Sequence, residues 1–318
     1  MARYLALKQE TAYHGGGTPD IFLEVGEANF EASNEPIYVP TIQTRESQSM
    51  KLGEFTTDIS FSGVIDTHTF GYILKFTCGT VATTGTGTFT HTFKPTQIAT
   101  PLSFVAERGL EAITAERVAG GVIDSLEISL EAGGLAEFSV DGYAGKKTLV
   151  SPQTPTFGTL SPFAFWEGNV KIAGTSVATV RSITITQNEN IAWDESWRIR
   201  ATDGRFPAKV FRGEREITFE TELVFENTEA LGRFFNGVAN ATEPGTTYTP
   251  FSLELTLSTT ENNAGTLTIL MPKVVFEAAD VDLSGLDILT QTVSGKALYH
   301  AGSAAAIIYT LINTKTSY

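Results

Sequence analysis

Cysteine is almost absent from this sequence: Cys78 is the only one in 318 residues. That excludes an intrachain disulfide and any metal site built on thiolates, and a lone Cys in an apolar run reads as a small core residue. Histidine is nearly as scarce, and none of His14, His68, His91 and His300 stands at a metal-ligand spacing. His91, within Phe89–Phe93, reads as a strand residue pointing to solvent. Long apolar runs are missing too. Nothing approaches the roughly 20 apolar residues that span a bilayer, and Met1–His14 holds no apolar stretch of a secretory signal. The expectation is a soluble chain made in a cytoplasm, with no membrane partner. Bases are the minority, 22 Lys and Arg against 36 Asp and Glu, for a net charge of −14. A duplex reader needs clustered cations to displace counterions from phosphates, so the balance argues against one, though not against a surface that DNA slides past.

Catalytic patterns are equally thin. The glycine runs Gly15–Gly17 and Gly85–Gly87 lack the strand-before, helix-after context of a phosphate loop. There is no G-x-S-x-G, and Cys78 has no evident His partner. The carboxylates Asp194, Glu195, Glu214 and Glu216 sit in turns or on polar strand faces, with no facing pair for glycosidic chemistry. The reading is of a protein that is not an enzyme, with no cofactor and no metal.

What is abundant is the two-residue period of half-buried strands. Leu126, Ile128 and Leu130 alternate with Glu127, Ser129 and Glu131, and Phe138/Val140, Ile183/Ile185, Ile217/Phe219 and Leu253/Leu255/Leu257 repeat the pattern. Gly, Asn, Asp and Pro clusters separate the runs. Helical signals occur twice. Asp66–Gly79 and Asn227–Gly237 each carry a polar start, apolar residues at helical spacing and a terminal Gly. Each follows a Gly-led strand, Gly53–Phe61 and Gly213–Phe219, and Gly134 to Gly145 echoes Gly285 to Gly295. These echoes predict two diverged copies of one β-rich unit, residues 1–155 and 156–318, joined near Ser151–Gly158. The fold class is mainly β: two tandem sandwich- or barrel-like domains, each with one short flanking helix.

Interface signals lie outside these strands. Trp193, Trp197, Arg198 and Arg205 bring together the residue types that anchor interfaces; the equal alternative is that one or both tryptophans pack on their own sheet. The apolar run Ala304–Ile312, with Ile307, Ile308 and Tyr309, is either a buried last strand or an edge offered to a neighbouring subunit.

Three stretches resemble the tail tube proteins of long-tailed bacteriophages. They are Arg45-Glu46-Ser47 running to Gly79; Gly120–Ile128 with Phe138–Gly142; and Pro272–Gly285 with Leu289–Thr292. The resemblance implies a virion protein that assembles with itself into stacked rings around a channel for DNA, alongside a tape-measure protein and other tail proteins. One-domain members form six-fold rings, so a duplicated chain implies a homotrimer, with a hexamer as the alternative. The stretches Pro36–Leu52 (which holds Arg45) and Trp193–Arg212 read as loops for ring-to-ring contact, and an acidic lumen would repel DNA. Two other readings stay open: a carbohydrate- or surface-binding β-sandwich of the adhesin or receptor-binding kind, and another tail component such as a terminator or hub.

Overall fold

A computed structural model describes residues 3–261, 263–283 and 288–318. Their order is β1 (Arg3–Gln9), β2 (Ile21–Leu23), β3 (Glu27–Val39), β4 (Ser49–Val64), α1 (Phe70–Cys78), β5 (Val81–Thr86), β6 (Thr88–Phe93), β7 (Phe104–Leu110), β8 (Thr114–Glu131), β9 (Glu137–Ala144) and β10 (Lys146–Val150). Then follow β11 (Gly168–Ile172), β12 (Thr175–Ser176), β13 (Val180–Asn188), β14 (Glu216–Val224), α2 (Glu229–Asn236), β15 (Phe251–Thr259), β16 (Gly265–Asp282), β17 (Thr290–Ala297) and β18 (Ile308–Asn313). The protein is mainly β, and every pairing among these strands is antiparallel.

The expected helices form where their signals stand. Both end on a glycine in the left-handed region, Gly79 at φ 82° and Gly237 at φ 84°, whose N–H bonds back to Lys75 O and Arg233 O. Asp66 precedes α1 and accepts the N–H groups of His68 and Thr69 at 2.6 and 2.9 Å, holding the turn that enters the helix.

One pairing scheme occurs twice along the chain. In the first half β1 pairs with β2 and β7, β8 with β7, β9 and β10, and β4 with β3 and β9. In the second half β11 pairs with β12 and β15, β16 with β15, β17 and β18, and β14 with β13 and β17. β8 and β16 are both 18 residues long. Each bulges against its neighbour at the same place, after Ile123 and after Phe276, where it faces Gly142 and Gly295. A side chain on either glycine would meet the carbonyl oxygen of Val122 or Val275 at 2.1 Å, so glycine is required there. The register therefore matches Gly295 to Gly142 and not to Gly145, as the sequence echo had it; Gly285 lies outside the described residues. Among the described strands, β5 and β6 alone lack a counterpart.

The halves are interlocked. β8 of the first pairs with β13 of the second, and β6 pairs with β18. The resulting layers share one core, with Phe70, Ile73, Leu74 and Phe76 of α1 packed among Ile59, Leu126, Ile128, Phe138 and Tyr309.

Two expectations change here. His91 is fully buried. The two-residue period puts it on the same side of β6 as Phe89 and Phe93, not opposite them, and the C-terminal Tyr318 ring covers it at 4.7 Å. Its Nε2 lies 2.9 Å from Lys315 O and 3.2 Å from Asn313 Oδ1, and its Nδ1 lies 2.9 Å from Thr83 Oγ1. Nε2 is thus the donor and Nδ1 the acceptor. The stretch Pro36–Leu52 is not a loop: β3 and β4 stay paired as far as Val39 and Ser49, leaving only residues 40–48 as the tip.

Candidate functional site

The feature that sets this molecule apart is one broad sheet with two unlike faces. Its strand order is β3-β4-β9-β8-β13-β14-β17-β16, four strands from each half in the same sequence of roles. Alternation turns Phe30, Ile59, Val140, Ile128, Ile185, Phe219 and Val293 into the core. The residues between them point the other way, and they are Ser, Thr, Asn and carboxylates. β3 presents Glu27, Asn29 and Glu31; β4 presents Asp58, Ser60 and Ser62; β9 presents Glu137, Ser139 and Asp141; β8 presents Ser125, Glu127, Ser129 and Glu131. β13 adds Ser182, Thr184, Thr186 and Asn188, β14 adds Glu216, Thr218, Glu220 and Glu222, β17 adds Thr292 and Ser294, and β16 adds Asp280. The cations that reach this face are already paired: Lys296 with Glu216 at 2.6 Å and Arg181 with Glu222 at 2.9 Å. Much of the surplus acid of the chain is thus gathered here, on a largely polar surface.

Titration behaviour follows from that crowding. Partial burial, with Glu31 as its cross-strand neighbour, raises the Asp58 carboxyl above its ordinary value. Burial raises the Asp124 carboxyl, a bond from the Ile191 N–H partly offsets this, and Glu189 and Asp141 add to the rise. Tyr143 on β9 is raised by burial and then by Asp124, Asp58, Asp194 and Asp141 together.

At one end of this sheet β3 and β4 run on past the body as a paired arm. The register slips between Asn34 and Pro36, where proline has no N–H to offer the ladder. Beyond the slip apolar side chains stand in solvent: Ile37 at 62% exposure, Tyr38 at 61% and Ile42 at 106%, with Met50 and Leu52 beside them. A bare apolar hairpin of this kind marks a surface that meets another molecule. Arg45 is at its exposed tip.

The stretch Trp193–Arg212 occupies the same place in the second half, between β13 and β14, but folds down onto the body. Trp193 is buried and stacks on Tyr143 at 4.9 Å with rings 15° apart; Trp197 meets it edge-on at 5.6 Å. Arg205 ties the loop to the base of the arm, donating from Nε to Gly53 O at 2.9 Å and from its guanidinium to Asn34 Oδ1. Arg198 is exposed and bonds the carbonyls of its own loop, Glu195 and Trp197. In this chain, then, Trp193, Trp197 and Arg205 make internal contacts, and Arg45 and Arg198 face solvent. Ile307 and Tyr309 are fully buried and Ile308 half-buried, because β18 lies between β16 and β6. The terminal apolar run is an interior strand, the first of the two readings the sequence left open for Ile307 and Tyr309. Tyr143 escaped sequence reading, since its function as the platform under Trp193 depends on a contact between the halves.

Among the described residues no group of His, Cys, Asp and Glu is placed to hold a metal ion, and no helix is long and apolar enough to cross a membrane. No curated protein matches the chain. The family model described as phage tail tube protein matches residues 2–297. An open two-faced sheet, a projecting apolar arm and that match over nearly the whole length lead to one conclusion: the chain belongs to the phage tail tube protein family, and is a structural component of a virion tail.

Proposed function

We propose that this protein assembles with itself into rings that stack into a hollow tail tube, and that the acidic face of its broad sheet lines the channel through which phage DNA passes. The observation that carries the reading is that sheet. Its outer strands, β3 and β16, each have one partner over the stretch that forms the wall, among the described residues. An open sheet with one face in the core closes only by pairing its edges with other chains. A lumen of carboxylates and hydroxyls repels the phosphate backbone and offers it no donor cluster, so DNA slides without adhering.

The recurrent pairing scheme supports a duplicated unit, with residues 1–155 and 156–318 as the two tandem domains. Four wall strands per unit in matching order make three chains the equivalent of a six-fold ring. Stacking is head-to-tail, a heterologous contact that propagates without closing, and the arm of β3 and β4 suits it. The chain works in the virion tail after synthesis in the host cytoplasm, with a tape-measure protein and other tail proteins as partners, and it carries out no catalysis.

Negative-stain electron microscopy with light scattering across a concentration series tests this. Hollow tubes, or rings with the mass of three chains, are the expected result. Rings of six chains would remove the three-chain stoichiometry. A monomer under every condition would remove the tube reading.

A further inference from the structure

The chain contains one copy of a contact that a ring would need to repeat. β8 and β13 join the two halves with Ile185 opposite Ile128, Thr186 opposite Glu127 and Gln187 opposite Leu126. On the same diagonal, the Ala132 N–H donates to Arg181 O at 2.8 Å and the Glu189 N–H to Asp124 O at 2.7 Å. Odd-numbered residues of β13 therefore turn their backbone groups toward β8, and even-numbered ones form the closer, non-hydrogen-bonded pairs.

Register carries this junction to the free edges. Phe30 of β3 and Ile185 of β13 hold the same position, since they stand opposite Ile59 and Phe219, which in turn face Gly142 and Gly295. Ile123 of β8 and Phe276 of β16 match through the same glycines and the same bulge. Transferring the β8–β13 register puts Phe30 opposite Val281, Ala32 opposite Ala279 and Glu31 opposite Asp280.

The β3 edge is also occupied in a telling way. Ala28 and Phe30 correspond to Ile183 and Ile185, whose backbone groups face the junction. Arg108 Nη1 donates to Ala28 O at 2.9 Å and Lys147 Nζ to Phe30 O at 3.0 Å. Glu116 holds both cations, at 2.7 and 2.8 Å, and Arg108 also lies over the Phe30 ring at 5.2 Å. A cation on an edge carbonyl is a known guard against indiscriminate strand addition.

We propose that the edge of β3 receives β16 of a second copy, antiparallel and in that register, and that the incoming strand replaces Arg108 and Lys147 as partner of the Ala28 and Phe30 carbonyls. The proposal rests on the tube reading and specifies its chain-to-chain contact. It also sets Glu31 and Asp280 side by side, next to Asp58 and with no cation between them. Salt therefore favours closure, by screening this row.

The test is disulfide trapping. Glu31→Cys and Asp280→Cys chains are mixed and oxidised; a non-hydrogen-bonded antiparallel pair has the Cβ separation a disulfide needs. Thr186→Cys with Glu127→Cys in one chain is the internal control of equal geometry, and Ser33→Cys with Asp280→Cys is the off-register control. Cys78 is buried and stays silent. A covalent dimer from the first mixture and none from the off-register one is the expected result. In addition, Lys147→Met lowers the protein concentration at which rings appear. Rings or tubes without the Glu31–Asp280 product, while the internal control oxidises, would overturn the register and leave the tube reading standing. Neither rings nor product would overturn both, and a Lys147→Met threshold that is unchanged or raised would overturn the capping role.

Discussion

Glu189→Gln is the substitution whose cost the structure defines best. Glu189 directly follows β13, with a fully buried side chain pinned between two guanidinium groups that are 5% and 15% exposed. Arg215 bonds it through both nitrogens, at 2.6 and 2.9 Å. Arg212 Nε comes within 2.6 Å but off its N–H axis, so that contact is coulombic more than directional. Gln187 donates to the same carboxylate at 2.7 Å and accepts from Tyr309 at 2.8 Å. The two arginines reach into the first half, to Thr77 O and Thr96 O at 2.9 Å each. The cluster thus staples the halves together beneath the 191–212 loop. Replacing the carboxylate with an isosteric amide leaves two buried cations without a counter-charge, which costs about 3–5 kcal/mol. For a chain of this size that is a fall in Tm of roughly 4–8 °C. Calorimetry at low protein concentration, where assembly does not intervene, measures it, with urea unfolding for the free energy. Arg3→Ala is the internal comparison. It breaks an ion pair to Glu111 whose partners are 77% and 45% exposed, and exposed pairs of that kind contribute at most about 1 kcal/mol. If Glu189→Gln cost no more than Arg3→Ala, the assignment of a buried charge-compensated staple would be wrong.

Three further outcomes are expected. Replacing Ile37, Tyr38 and Ile42 with Ser leaves monomer stability within about 0.5 kcal/mol, because those side chains are exposed, and abolishes tubes in electron micrographs; tubes of normal length would exclude the arm from stacking. Converting Glu127, Asp141 and Glu220 to Lys makes assembled tubes retain duplex DNA in a salt-dependent way, whereas retention that ignores salt, or none at all, would argue against this face as the lumen. Asp58→Asn raises Tm at neutral pH. The folded carboxyl of Asp58 titrates above its unfolded value, so its ionisation is a penalty present at neutral pH and relieved as pH falls through that raised value. A stabilisation that persisted in acid, or a loss at neutral pH, would contradict the sign.

Much of this molecule was legible in its sequence because local rules decided it. Two-residue alternation gave the inward and outward faces of β8, β9, β13 and β14, and the terminal glycines gave both helix ends. The echo of Gly-led strands pointed to the recurrent pairing, although only the bulges after Ile123 and Phe276 fix the register. What escaped reading depends on contacts remote in sequence. His91 shares a face with Phe93, but its burial comes from Tyr318, at the other end of the chain. Trp193 stayed open between an interface anchor and a residue packed on its own sheet, because Tyr143, on a strand fifty residues earlier, is invisible as its partner. Pro36–Leu52 looked like a loop because Pro36, Pro40 and the polar run 43–49 interrupt it. Strands that leave the body are not held to alternation by a core, so the usual signature of pairing is absent.

The same departure from alternation explains how two similar halves come to do different work. Between β3 and β4, and between β13 and β14, the chain leaves the broad sheet at matching positions, each guarded by a glycine under a facing carbonyl. A side chain at Gly53 would meet Glu35 O at 2.1 Å, and one at Gly213 would meet Asn190 O at 2.4 Å. From there the paths diverge for a chemical reason. Ile37, Tyr38 and Val39 are β-branched or aromatic residues that favour an extended ladder, and their strand pairs onward into solvent. In the second half Trp193 and Trp197 find Tyr143 and Val122 close by, and burying aromatic surface outweighs extending the strand. Arg205 then fastens the folded loop to the arm's base. Under the three-chain reading, a wall of near six-fold regularity would therefore carry only three arms, alternating with three folded loops. Lateral closure would use an almost repeating contact, while stacking would use one that occurs once per chain, so the two steps answer to different residues.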